Sequence, residues 1–179
     1  ISDMIQPPTT APTIPIMRTT IKNRFFSMDD KTRIRSILEA NIHMVLSTAG
    51  ESGKPWVTPV AYTFDKNRAL YWVSSKDSRH SSNIRSRKEV AIVIFMIEPT
   101  QDALYVDAEA QELTDEAEIN SAIEVINTRP QPDKFRVNSL NDVSGNASWR
   151  IYKATPKQMY VRELMTLNNQ AVTVRRKLV

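Results

Sequence analysis

Tyr71-Trp72-Val73-Ser74-Ser75-Lys76-Asp77-Ser78-Arg79-His80-Ser81-Ser82-Asn83-Ile84-Arg85, followed by Glu89-Val90-Ala91-Ile92-Val93-Ile94-Phe95, is the stretch whose reading decides the fold. Alternation and β-branched or aromatic content predict a strand over Tyr71 to Ser75. The continuous apolar run Val90 to Phe95 predicts a second strand, buried on both faces. Between them the pattern predicts a short helix capped by Asp77 or Ser78, whose side-chain oxygen can accept from backbone N–H groups two or three residues on. Only Ile84 is strongly apolar there, so the helix is expected on the surface with its first turn outward. Ser75, Lys76, Ser78, Arg79 and His80 then gather hydroxyls, cations and free backbone N–H groups around one helix start, the chemistry of a phosphate site. On composition alone the same stretch is also an ordinary solvated loop.

Working outward, Asp29 to Asn41 reads as a packing helix with Ile34, Ile37 and Leu38 on one stripe. His43 to Thr48 is the next strand, and Ala49 to Lys54 turns the chain into a strand over Trp56 to Phe64. Pro59 cannot donate to a ladder and so marks an edge or an interruption there. Leu104 to Leu113 alternates as a long strand. Asp115 and Glu118 then open a helix as a capping box, with Ile119, Ala122, Ile123 and Ile126 as its stripe. Asn127 to Ala147 is a polar segment with Phe135 and Leu140 as anchors. Trp149 to Ala154 reads as a strand ending at Thr155-Pro156, followed by a turn and a strand over Met159 to Arg162.

These elements resemble the FMN-binding split barrel of the pyridoxamine 5′-phosphate oxidase-like superfamily. The resemblance rests on Val57-Thr58-Pro59-Val60-Ala61-Tyr62, Phe64-Asp65-Lys66-Asn67, Leu70 to Ser75, Asp77-Ser78-Arg79-His80, Asn83-Ile84 and Val90 to Phe95. It continues through Val106 to Ala110, Thr114-Asp115-Glu116 and Trp149 to Pro156, covering residues 33 to 163. It implies a mainly antiparallel split β-barrel with flanking helices and an FMN site at the interface of a homodimer. Ser75, Lys76, Ser78, Arg79 and His80, supported by Asn83, are the phosphate-binding residues so implied, with Ser74 also among the cofactor-binding residues. Thr58, Pro59, Val60 and Ala61 would line the isoalloxazine through backbone groups, and Trp149 with Arg150 would close the site from the partner chain. The implied function is that of an oxidoreductase acting on a small molecule. A deazaflavin- or haem-binding barrel and a cofactor-free dimeric binding module are the alternatives.

The chain departs from the resembled pattern at two places. His80 stands where the enzymes commonly have lysine, and Val57 and Tyr62 stand where the vitamin-forming oxidases carry basic residues. The expectation is therefore an FMN-binding protein rather than that particular oxidase, with no catalytic residue assigned.

Composition bounds the rest. A chain of 179 residues, 41% apolar and 25% charged, makes one ordinary domain, 29–163, after an extended proline-containing arm, 1–28, in which Ile14, Ile16 and Met17 are suited to packing on a partner. Residues 164–179 are expected as a tail or an edge strand. Absence of cysteine excludes disulfides and thiolate chemistry, and no metal site is expected from His43 and His80, the only histidines. Three glycines leave no glycine-rich nucleotide loop. Asp77, Ser78 and His80 share one helical turn and so form no Ser-His-Asp triad. The net charge of +4 is spread too thinly for a nucleic-acid module, and no apolar run approaches the ~20 residues of a membrane span. Residues 1–28 lack the apolar core of a secretory signal, so a cytoplasmic protein is expected.

Overall fold

The computed structural model describes residues 29–96, 102–129 and 136–178; the expectations for the 1–28 arm and for Phe135 lie outside them. Helix α1 (Asp30–Ala40) begins where Asp29 Oδ1 accepts from the N–H groups of Lys31 (2.9 Å) and Thr32 (3.0 Å), and it buries Ile34, Ile37 and Leu38. It packs over a curled antiparallel sheet made of β1 (His43–Ala49), β2 (Pro55–Ala61), β3 (Thr63–Phe64), β4 (Leu70–Ser75), β5 (Glu89–Phe95), β6 (Ala103–Glu112), β7 (Trp149–Leu167) and β8 (Gln170–Lys177). The order β2-β1-β5-β6-β7-β4-β3, with β8 added to β7, leaves β2 and β3 as the two ends. This is the expected split barrel, with the opening between its end strands.

Alternation sorts side chains to two cores. Leu46, Leu70, Trp72, Ile92, Ile94, Leu104, Val106, Tyr152 and Val161 point into the barrel, where Trp72 and Tyr152 stack with ring centroids 5.6 Å apart. On the opposite face of β4 and β7, Tyr71 and Ile151 pack under helix α3 (Glu116–Asn127) and the segment containing Val137 and Val143. Asp115 caps α3 by accepting from Glu118 N–H at 2.9 Å, as its spacing predicts.

Three strand expectations change. β5 is buried on one face only: Val90, Ile92 and Ile94 are inside, whereas Ala91 and Phe95 are exposed, because no second layer covers that side among the described residues. The strand expected over Trp56 to Phe64 divides into β2 and β3. Pro59 does not interrupt β2, since the register Thr58↔Leu46, Pro59↔Val45, Val60↔Met44 is continuous; β2 tolerates proline because it is an edge strand. Finally, Pro156 does not end a strand. β7 runs on for 19 residues through a bulge, Asp107 pairing Gln158 while Ala108 pairs Pro156, and crosses position 163 to form a hairpin with β8.

Candidate functional site

Helix α2 (Arg79–Ser86) follows β4 after a tight turn in which Ser78 N–H donates to Ser75 O at 3.1 Å. Ser78 is the cap, and its Oγ accepts from Ser81 N–H at 3.3 Å. A helix start offers N–H groups that no intrahelical carbonyl can take, and those of Arg79 and His80 stand beside the cap. The helix is less superficial than its composition suggests: His80, Ser81, Asn83 and Ile84 are buried. Small polar residues can be buried there because they are hydrogen-bonded to one another.

Proton accounting defines that network. Ser81 Oγ donates to Ser75 O (2.8 Å), and Ser78 Oγ donates to Ser81 Oγ (2.8 Å). With its proton engaged, Ser78 Oγ can only accept at its 3.0 Å contact with His80 Nε2, which assigns the ring its Nε2–H tautomer. Ser74 Oγ, 2.9 Å from the same nitrogen, shares that N–H and keeps its own proton for another acceptor. Burial pushes the His80 pKa below the ordinary 6.5, so the ring is neutral near pH 7. His80 thus organises two serine hydroxyls from behind the helix start.

The cations lie in front. Arg79 is exposed, and its guanidinium rests 4.4 Å over the ring of Trp56 on β2. This contact ties the helix start to the strand carrying Thr58, Pro59, Val60 and Ala61, whose outer edge has no neighbouring strand among the described residues. Lys76 is half-buried, and its N–H donates to Ser148 O at 2.9 Å. Asn83 faces inward: its Nδ2 donates to Thr48 Oγ1 at 2.9 Å, fastening α2 to β1.

Trp149 and Arg150 are the register partners of Ser75 and Ser74 in the same chain. Trp149 is 54% exposed. Arg150 is held locally, donating to the carbonyls of Gly145, Ala147 and Trp149, each at 2.7 Å, and pairing with Glu112 at 3.3 Å. Ser74, Ser75, Lys76, Ser78, Arg79, His80, Trp149 and Arg150 therefore converge on one end of the β4–β7 ladder, with the β2 residues reached through Trp56. Two further residues belong to this arrangement: Trp56 and Ser81. The Ser78–Ser81 spacing carries a capping signal for the second; nothing local marks the first. Among the described residues no group of three or more His, Asp or Glu is placed to hold a metal.

A curled antiparallel sheet of this order, with a polar helix start at the mouth of its opening, defines a split-barrel protein. The chain belongs to the pyridoxamine 5′-phosphate oxidase family, whose sequence profile matches residues 31–162. No curated protein sequence matches it. Its fold is similar to the crystal structure of a pyridoxamine 5′-phosphate oxidase-related, FMN-binding protein from Nostoc punctiforme, with TM-score 0.56, 10% identity, and 84% of this chain and 98% of that one covered. It is also similar to an FAD-binding protein from Mesorhizobium loti, with TM-score 0.56, 18% identity, and 75% and 94% covered. The heme storage protein HutZ from Vibrio cholerae has TM-score 0.55 and 18% identity, with 75% and 95% covered.

Proposed function

We propose that the chain binds FMN as a homodimer and acts as a flavin-dependent oxidoreductase on a small molecule. The observation that carries this reading is the helix start of α2, where the Ser78 cap and the exposed Arg79 stand beside N–H groups without intrahelical acceptors. The donor set suits a phosphate dianion. Hydroxyl and backbone donors supply direction, Arg79 and Lys76 supply charge, and neutral His80 supports the hydroxyls. Bound FMN would supply hydride or electron transfer. The chain's part is to hold the phosphate at the Ser75 hydroxyl, Lys76, Arg79 and the backbone N–H groups that follow the Ser78 cap, to offer the edge of Thr58 to Ala61 to a flat ring, and to exclude water with Trp56 and Trp149. The similarity to the FMN-binding and FAD-binding proteins supports this reading.

Haem is the second reading, supported by the similarity to HutZ. Absorbance separates the two. The protein is incubated with FMN, desalted and scanned beside an Arg79→Ala variant. A flavin band retained by the parent and reduced at least about tenfold in the variant is the expected result, from loss of a charge-assisted bond of about 1.5–3 kcal/mol. A parent that retains no flavin but gives a Soret band with haem overturns the flavin reading.

A further inference from the structure

Arg33, Arg85, Arg129, Arg150 and Arg176 each give hydrogen-bond donors to a carboxylate or a carbonyl of this chain. Among the described residues Arg79 does neither, although Asp77 stands two positions before it. Its guanidinium rests instead 4.4 Å from the centre of the Trp56 ring. A ring face attracts the cation through its quadrupole and offers no lone pair, so the N–H donors of the guanidinium fork are left for an anion. A fork of that shape meets phosphate oxygens two at a time.

The helix is docked so as to keep this contact. Arg79 and Asn83 are four residues apart and share one face of α2. Trp56 and Thr48 are cross-strand partners in the β1–β2 ladder and stand on one face of the sheet. Asn83 Nδ2 donates to Thr48 Oγ1 at 2.9 Å while Arg79 covers Trp56, so one face of α2 meets one cross-strand pair at two points. The buried amide fixes where the Arg79 side chain begins, and the indole fixes where its charge comes to rest. Alternation along β2 puts Trp56 on the same side as Thr58 and Val60. A long side chain that is ordered before its ligand arrives removes that ordering from the cost of binding.

We propose that Trp56 is a positioning residue of the phosphate site: its indole face holds the Arg79 guanidinium, with its hydrogen-bond donors free, at the start of α2 for the phosphate monoester of FMN. This inference rests on the flavin reading above and adds the residue through which β2 acts on the phosphate. Trp56 sets how often Arg79 is in place; the bonds to the phosphate are made by Arg79.

The test is a double-mutant cycle on FMN affinity, in which the parent, Trp56→Leu, Arg79→Ala and the double variant are each titrated by flavin fluorescence. Loss of the ring face is expected to weaken FMN binding about two- to fivefold when Arg79 is present, the worth of an exposed cation–π contact. In the Arg79→Ala background the same change is expected to weaken it no further. Trp56→Phe keeps a π face and is expected to bind FMN more tightly than Trp56→Leu. Riboflavin, which has the ring but no phosphate, is expected to bind the parent and Trp56→Leu alike. Additive losses in the double variant, an equal loss for riboflavin, or a Trp56→Phe no better than Trp56→Leu overturns the positioning role and leaves the flavin site standing. Unchanged FMN affinity in Trp56→Leu overturns it as well. A parent that binds no FMN sinks the flavin reading and this inference together. Should Trp56→Leu fail to fold by circular dichroism, Trp56→Thr, suited to an exposed strand position, takes its place in the cycle.

Discussion

His80 is neutral in the fold because it is buried and its Nε2–H is engaged by Ser74 and Ser78, whereas in the unfolded chain it titrates near 6.5. Its folded pKa is lowered, so between the two values the unfolded state binds more protons. Its contribution is therefore complete above about pH 6.5 and is lost as the pH falls through the folded pKa. Urea midpoints measured from pH 8 to pH 5 are expected to fall, and to fall less in His80→Gln, which cannot charge; equal slopes would refute the assignment. Gly50 is a second residue with a narrow role. A Cβ there would stand 2.9 Å from Asn83 Oδ1, so Gly50→Ala must displace the amide that holds Thr48. A loss of about 1–2 kcal/mol in chemical denaturation is expected. Residue types were legible in the sequence to the extent that chemistry is local. The Ser78 cap and the helix start after it were legible from local spacing, and the proposed anion site took the family resemblance besides, but Trp56 lies on a strand 23 positions earlier in the chain, and only the folded structure brings it under Arg79.

At the scale of elements, α1 ends without a glycine cap. Arg129, at the far end of α3, donates instead to the carbonyls of Leu38 and Asn41 while its guanidinium lies 4.7 Å over Tyr62 and 5.2 Å over Phe64. Arg129→Ala takes that donor from Asn41 O and leaves Leu38 O with the Tyr62 hydroxyl alone, and is expected to destabilise the protein by about 1–3 kcal/mol, read as a lower thermal midpoint. The neighbouring Tyr62 phenol, buried and donating to Leu38 O at 2.9 Å, is pushed up to about 12. Its folded pKa is raised, so its contribution is present below pH 10 and disappears as the pH rises towards 12. Phenolate absorbance should therefore appear for Tyr62 only with alkaline unfolding. The tip of the β7–β8 hairpin has Asn168 and Asn169 at φ 50° and 61°, the backbone of a two-residue turn that prefers Asn-Gly. Asn169→Gly is expected to raise stability by a few tenths of a kcal/mol to about 1 kcal/mol. Element boundaries were legible wherever a cap or a turn residue marks them, as at Asp29 and Asp115. The long β7 was not, because proline normally stops a strand, and only the bulge opposite Asp107 and Ala108 lets Pro156 remain within one.

For the whole molecule, the two apolar clusters share β4 and β7, so the barrel core and the α3 layer are expected to unfold together. A ligand held between the α2 start and β2 stabilises this unit by mass action. At a hundredfold excess over its dissociation constant FMN should add about 2.7 kcal/mol, which for a chain of this size is a rise of about 5–10 °C in the thermal midpoint. A midpoint indifferent to FMN, with haem raising it instead, would favour the second reading. The one-sided burial of β5 was not legible, since an apolar run looks alike whether its second face meets the same chain or another. Among the described residues, no helix is long and apolar enough to cross a membrane.

β7 carries Trp149 at one end and Leu167 at the hairpin with β8 at the other, on 19 consecutive residues, roughly 60 Å when extended. The bulge opposite Asp107 and Ala108 lies between the two and bends the strand there. One strand therefore serves two partners on different courses: its first residues follow β4, where Trp149 and Arg150 pair with Ser75 and Ser74, and its last follow β8.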